Sequence, residues 1–172
     1  PILASAHESG CIRLWSIQGS LMKELLPFSE CPSGPLRVLH TDISTKILLA
    51  GSKEGYIICW NLASFLEDSQ NKKNQVKEKL CWRGHTAEVV DLFYEEEKNV
   101  IVTASTDRSV RIWHAESGYY FGYYGQSREF ELSDTSRLIL PPDVTNFPAI
   151  IREESKPMEK KIECPLMLDR DR

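Results

Sequence analysis

The sequence is poor in every feature that would mark membrane insertion, a nucleic-acid groove or a disulfide framework. No apolar run approaches the roughly 18 residues needed to span a bilayer. The start, Pro-Ile-Leu-Ala-Ser, carries no basic segment followed by an apolar one and reads as a strand entered halfway, not as a signal peptide. Charge is balanced, 21 Lys+Arg against 25 Asp+Glu, and no block of one sign occurs; this argues against a nucleic-acid groove or a polybasic membrane anchor. The five cysteines (Cys11, Cys31, Cys59, Cys81, Cys164) form an odd set without Cys-x-x-Cys spacing, so the expectation is reduced, buried thiols in an intracellular, cytoplasmic compartment. Phosphate-binding Gly-rich loops followed by Lys-Ser/Thr, His-Glu-x-x-His, Gly-x-Ser-x-Gly and calcium-loop motifs are all missing. Gly51-Ser52-Lys53-Glu54-Gly55 sits between strands, without a helix to cradle phosphate. His7 and Cys11 make two ligands at most, too few for zinc. No cofactor, metal or small-molecule substrate is implied, and the chain reads as non-enzymatic.

What is present is ordinary globular composition, 41% hydrophobic and 27% charged over 172 residues, enough for one domain with a sizeable core. An internal repeat organises it. Residues 4–17, 50–62 and 103–115 each read as a short apolar strand, a polar turn and a second apolar strand ending in Trp15, Trp60 or Trp113. Trp15 and Trp60 lie 45 residues apart, the period of a four-stranded blade; Trp60 and Trp113 lie 53 apart, the excess falling in the polar insertion 62–79. Runs at 36–40 and 89–94 read as strands before the second and third hairpins, and runs at 20–26, 79–83 and 119–124 as strands after each Trp. That makes about eleven strands, with a short helical stretch at 63–68 as the one exception to all-β patterning.

These residues resemble the WD-repeat family of β-propellers, most fully from Trp82-Arg83-Gly84-His85-Thr86 to Ile112-Trp113. The resemblance covers residues 3 to about 125. It implies an all-β, incomplete propeller: 1–30 as a partial first blade without its inner strand, 31–83 as a second blade carrying the insertion, 84–125 as a third, and 126–172 as a linker and Pro-rich charged tail, extended or solvated. It also implies a buried hydrogen-bonded tetrad in the third blade, assigned by position to His85, Ser105, Asp107 and Trp113. Such a polar chain is tolerable in a core only when every member is satisfied. The signature positions of the second blade hold Ser52, Glu54 and Trp60, with Pro32 where the His would be; those of the first hold His7, Ser9 and Trp15. His85, Ser105 and Asp107 share the residue types of a hydrolase triad, but a blade interior offers neither an oxyanion hole nor access for substrate.

Too few blades are present to close a ring, which typically needs four to eight. The expectation is therefore the C-terminal part of a longer propeller, its remaining blades lying in the same longer chain. The resemblance further implies protein partners bound on a rim formed by Glu8, Lys53, Thr106 and Arg108 at the hairpin turns and Ser33, Pro35, Thr86 and Glu88 before the inner strands. Two function classes follow: a scaffold docked permanently in an assembly, or a recognition module reading a transient peptide or modified tail. The aromatic run Tyr119, Tyr120, Phe121, Tyr123, Tyr124 reads as an edge-sealing strand before it reads as an interface. The stretch from Gly118 to Pro148 is also similar to the end of long WD-repeat proteins of cilia and sperm flagella, which implies an axonemal location.

Overall fold

The computed structural model describes residues 1–26, 31–67, 76–133, 141, 143 and 144. Eleven antiparallel strands among them form three sheets, with β1 (Ile2–Ala6), β2 (Ile12–Ser16) and β3 (Leu21–Leu25) in the first. The second holds β4 (Leu36–Thr41), β5 (Ile47–Ser52), β6 (Tyr56–Asn61) and β7 (Lys77–Arg83), with one turn of helix, α1 (Ala63–Glu67), between the last two. The third holds β8 (Val89–Glu95), β9 (Val100–Ser105), β10 (Val110–His114) and β11 (Tyr120–Tyr123). Strands pair in chain order within each sheet, the meander expected of an incomplete WD-repeat propeller. β7 begins at Lys77, inside the stretch assigned to the insertion, because Lys77 pairs with Asn61 and continues the ladder from the Trp strand. Residues 68–75, including Lys72 and Lys73, lie outside the described part.

The repeat goes deeper than the tryptophans. In every sheet the pairing between the Trp strand and the outer strand slips one residue before the Trp: at Leu14/Trp15, Cys59/Trp60 and Ile112/Trp113. The inner pair slips in both four-stranded sheets as well, at Leu36/Val38 and Val89/Asp91. A bulge bends its strand and increases local twist, so the shared positions give the blades a shared curvature.

The central blade is buried on both faces, which explains why its strands read as continuous apolar runs rather than alternating ones. Alternation still sorts the residues. Leu48, Ala50, Ile58, Trp60 and Cys81 join Ile12, Leu14 and Leu25 of the first sheet in one cluster. Leu49, Ile57, Cys59, Leu80 and Trp82 join Val89, Leu92, Ile101, Trp113 and Tyr120 of the third sheet in another. The seams are close. A Cβ placed on Gly51 would stand 2.6 Å from Val89 Cγ1 and 2.7 Å from Val38 Cγ2, leaving room there for hydrogen alone.

One expectation needs correction. Cys31 and Cys81 are paired as a disulfide, tying the segment before β4 to the outer strand of the same blade; spacing in sequence could not show a pairing made across 50 residues by the fold. Cys11 and Cys59 are buried and free, and burial pushes the Cys59 thiol up to about 12. Described residues after the third blade pack against it, while Phe147, Ile150 and Ile151, the tail residues expected to be pinned on a blade, lie outside the described part. Phe130 and Leu132 pack on the outer face of the third blade against Val100, Val102, Ile112 and Phe121, and Val144 is buried. Of the aromatic run, Tyr120 and Phe121 are buried on opposite faces of β11, while Tyr123 and Tyr124 are exposed.

Candidate functional site

The third blade encloses a chain of polar side chains. Gly84 and His85 follow the last residue of β7, and both their N–H groups donate to Gly55 O, at 2.9 and 3.1 Å. This double anchor aims the His85 imidazole, fully buried, into the next blade. Gly84 is required by proximity: a Cβ there would fall 2.4 Å from Ile57 Cδ1 and 2.8 Å from Trp113 Cζ2.

His85 Nδ1 lies 2.8 Å from Asp107 Oδ2, and its Nε2 lies 2.7 Å from Thr103 Oγ1. Trp113 Nε1–H donates to the same Thr103 hydroxyl at 2.9 Å. One proton arrangement satisfies every atom. Neutral His85 donates from Nδ1 to the carboxylate and accepts at Nε2 from the Thr103 hydroxyl, whose oxygen accepts from the indole. The electrostatics agree. Desolvation, partly opposed by Asp107, lowers the His85 pKa below its ordinary 6.5. Burial alone would raise the Asp107 pKa, but hydrogen bonds from Ser109 and the attraction of His85 outweigh it and hold it below 3.8. Arg111 completes the cluster: its Nε donates to Ser109 Oγ at 2.9 Å and its Nη1 to Gly84 O at 2.7 Å.

The hydroxyl in this chain belongs to Thr103, not to Ser105 as position in the repeat had suggested. Thr103 points inward from β9 with Trp113, while Ser105, at the end of the strand, has reached the turn. Ser105 Oγ donates to Ala87 O at 3.2 Å and accepts from Asp107 N–H at 3.1 Å. Moving the reference by two residues re-reads the other blades. The equivalent of Thr103 in the second blade is Ala50, and Ser52, like Ser105, is a turn residue whose Oγ accepts from Tyr56 N–H at 2.9 Å. In the first blade it is Ser5, which accepts from Trp15 Nε1–H at 2.8 Å and lies 2.9 Å from His7 Nε2. Ser9, placed in that set by sequence, contacts Cys11 Sγ at 3.0 Å instead. Spacing from the Trp does not separate the two readings: Thr103, Ala50 and Ser5 stand ten residues before it, and Ser105, Ser52 and His7 eight.

Above the lock, the three hairpin turns share one geometry. Gly10, Gly55 and Arg108 each donate N–H three residues back, to His7, Ser52 and Ser105, and all three have positive φ. Glu8, Lys53, Thr106 and Arg108 are exposed on these turns, as is Thr86 on the approach to β8; Glu88 and Pro35 are half-buried. Ser33 is not part of any rim: it is 1% exposed, in a loop whose Cys31 is buried in the cluster between the first and second blades. Arg37 of the second blade pairs with Glu8 of the first at 3.0 Å and with Glu88 before the third at 3.4 Å, binding three blades at one point. Among the described residues, no cluster of His, Cys, Asp and Glu could hold a metal, and no helix is long and apolar enough to cross a membrane.

Comparison with known proteins matches this architecture. Residues 76–114 match the family model described as WD domain, G-beta repeat. That span covers β7 to β10, the blade with the complete lock. The chain is 24% identical over 143 residues to one of the subunits of chromatin assembly factor 1 from Mus musculus, covering 74% of this chain and 25% of the relative. It is 30% identical over 118 residues to an F-box/WD-40 repeat-containing protein of Arabidopsis thaliana, covering 67% and 20%. Among solved structures, the WD40 repeats of RRP9 superpose with a TM-score of 0.56 at 22% identity, over 71% of this chain and 34% of that one. The chain thus spans a quarter or less of the length of these curated relatives.

Proposed function

We propose that this chain is part of a longer WD-repeat propeller and acts as a non-enzymatic scaffold that binds proteins through its rim within a multiprotein assembly. The observation that carries the reading is the rim itself: exposed turns of three blades, alike in hydrogen bonding and positive φ and linked by the Glu8–Arg37–Glu88 ion pairs. Surface pairs of this kind add little stability; the buried clusters between blades hold them together, and a preorganised surface loses less entropy on binding. The polar cluster beneath it is spent on internal hydrogen bonds, which supports a structural role for it over a catalytic one. Membership of an assembly is also in keeping with the chromatin assembly factor among the relatives.

The test is a triple reversal, Lys53→Glu, Glu88→Lys and Arg108→Glu, followed by affinity capture from a native extract. Loss of the proteins captured by the parent is expected; an unchanged set would rule out this rim. An intracellular site is kept in this reading on the odd cysteine count and the free, buried Cys11 and Cys59, the Cys31–Cys81 pair notwithstanding, and the finer placement in a cilium or sperm flagellum on the terminal stretch. Fractionation decides the latter: salt-resistant retention in axonemes is expected if it holds, and a freely soluble pool contradicts it.

A further inference from the structure

Arg111 is a cation with 7% of its side chain exposed, and Asp107, already engaged by His85, stands 3.8 Å from it. Its short ionic contact comes from the tail, Nη2 donating to Asp143 Oδ2 at 2.6 Å. The next residue, Val144, is 2% exposed and belongs to the apolar cluster that joins the second and third blades, with Trp82, Trp113 and Tyr120. Val144 N–H donates to Pro141 O at 3.2 Å, closing a turn that presents the two side chains together. Pro141 is itself buried. Charge-assisted hydrogen bonds to a largely desolvated guanidinium are among the stronger polar contacts, and a β-branched anchor loses little entropy on burial.

From this arrangement the geometry points to a peptide-docking groove on the seam between the second and third blades, specific for an acidic residue followed by an aliphatic one and filled in cis by Asp143 and Val144 of this chain's own tail. The groove is separate from the rim, so its fate does not depend on the rim's role in binding proteins. Specificity divides between two contacts: Arg111 selects the carboxylate, and the inter-blade cluster selects the aliphatic side chain.

The experiment uses the full chain and its Asp143→Ala/Val144→Ala variant, with a synthetic peptide of residues 139–148 as probe. Hydrogen exchange should show amides around Val144 protected in the parent at any protein concentration, and exchanging about tenfold faster or more in the variant. The peptide should bind the variant at least about tenfold more tightly than the parent, whose groove is filled, and a peptide with both alanines should bind neither. Failure of the peptide to bind the opened variant, equal binding to parent and variant, or equal binding of the alanine peptide would overturn the proposal. Protection that grows with protein concentration would also overturn it, by showing that the occupant is the tail of a second copy. Should the double variant lose cooperative melting, Asp143→Ala alone, at a side chain 39% exposed, gives the same readouts.

Discussion

The second and third blades surround the same residue with different side chains. Trp113 is held by a satisfied polar chain that runs through Thr103 and His85 to Asp107. Trp60, equally buried, stands where Ala50 replaces the threonine, Pro32 the histidine and Glu54 the aspartate, and it packs among Ile12, Leu14, Leu48, Ile58 and Phe65. Strand register and bulge position are nevertheless the same in both. Strand pairing and burial of the indole are therefore common to the two blades, and the Thr103–His85–Asp107 lock is particular to the third. Its contribution is to fix one rotamer and one loop position, since an unpaired member would cost more than the whole chain gains.

The sharpest way to break that comparison is to remove both indoles. Trp113→Ala and Trp60→Ala should each cost about 3–5 kcal/mol by urea melting, because cavity formation dominates either way; a much smaller loss at Trp60 would mean that the lock, not the packing, makes the blade. Next, Asp107→Ala strips the acceptor from buried His85 and should cost about 1–3 kcal/mol, whereas Glu54→Ala at the equivalent exposed position should stay within about 0.5 kcal/mol. Thermal melts of the pair would reveal any hidden dependence of the second blade on its turn.

Acid should separate the blades too. Unfolded His85 takes up a proton near 6.5, while in the fold its pKa is lower, so the unfolded chain binds more protons and stability falls as pH drops below that value. Asp107 has its pKa lowered in the fold, so its contribution, present above 3.8, is lost further down. The protection factor of the Trp113 indole proton should therefore fall between pH 7 and pH 5 in the parent and stay level in a His85→Gln variant. An equal fall in both would mean that the lock has no acid response of its own.

The repeat, the strands and the short helix were legible because each depends on local pattern: period-two runs, polar turns and a Trp at fixed phase. The lock was legible in part. His85 follows a glycine and Asp107 sits in a turn, both strong local marks, but choosing between Thr103 and Ser105 needs the point where the strand gives way to the turn, which hydroxyl residues at 103, 105 and 106 leave ambiguous. Ser33 on the rim failed for a related reason, since loop residues read as exposed until something folds over them. The Cys31–Cys81 pair and the Asp143–Arg111 contact join residues 50 and 32 positions apart, and no local signal reports such a meeting.

The central claim is that the third blade is locked through Thr103. Urea melts of Thr103→Val and Ser105→Ala, run side by side, test it most directly. Valine keeps the shape but strands the His85 and Trp113 nitrogens, for an expected loss of about 1–3 kcal/mol; alanine at 105 gives up hydrogen bonds at a half-exposed turn, for about 0.5–1 kcal/mol. A larger loss at Ser105 than at Thr103 would contradict the account.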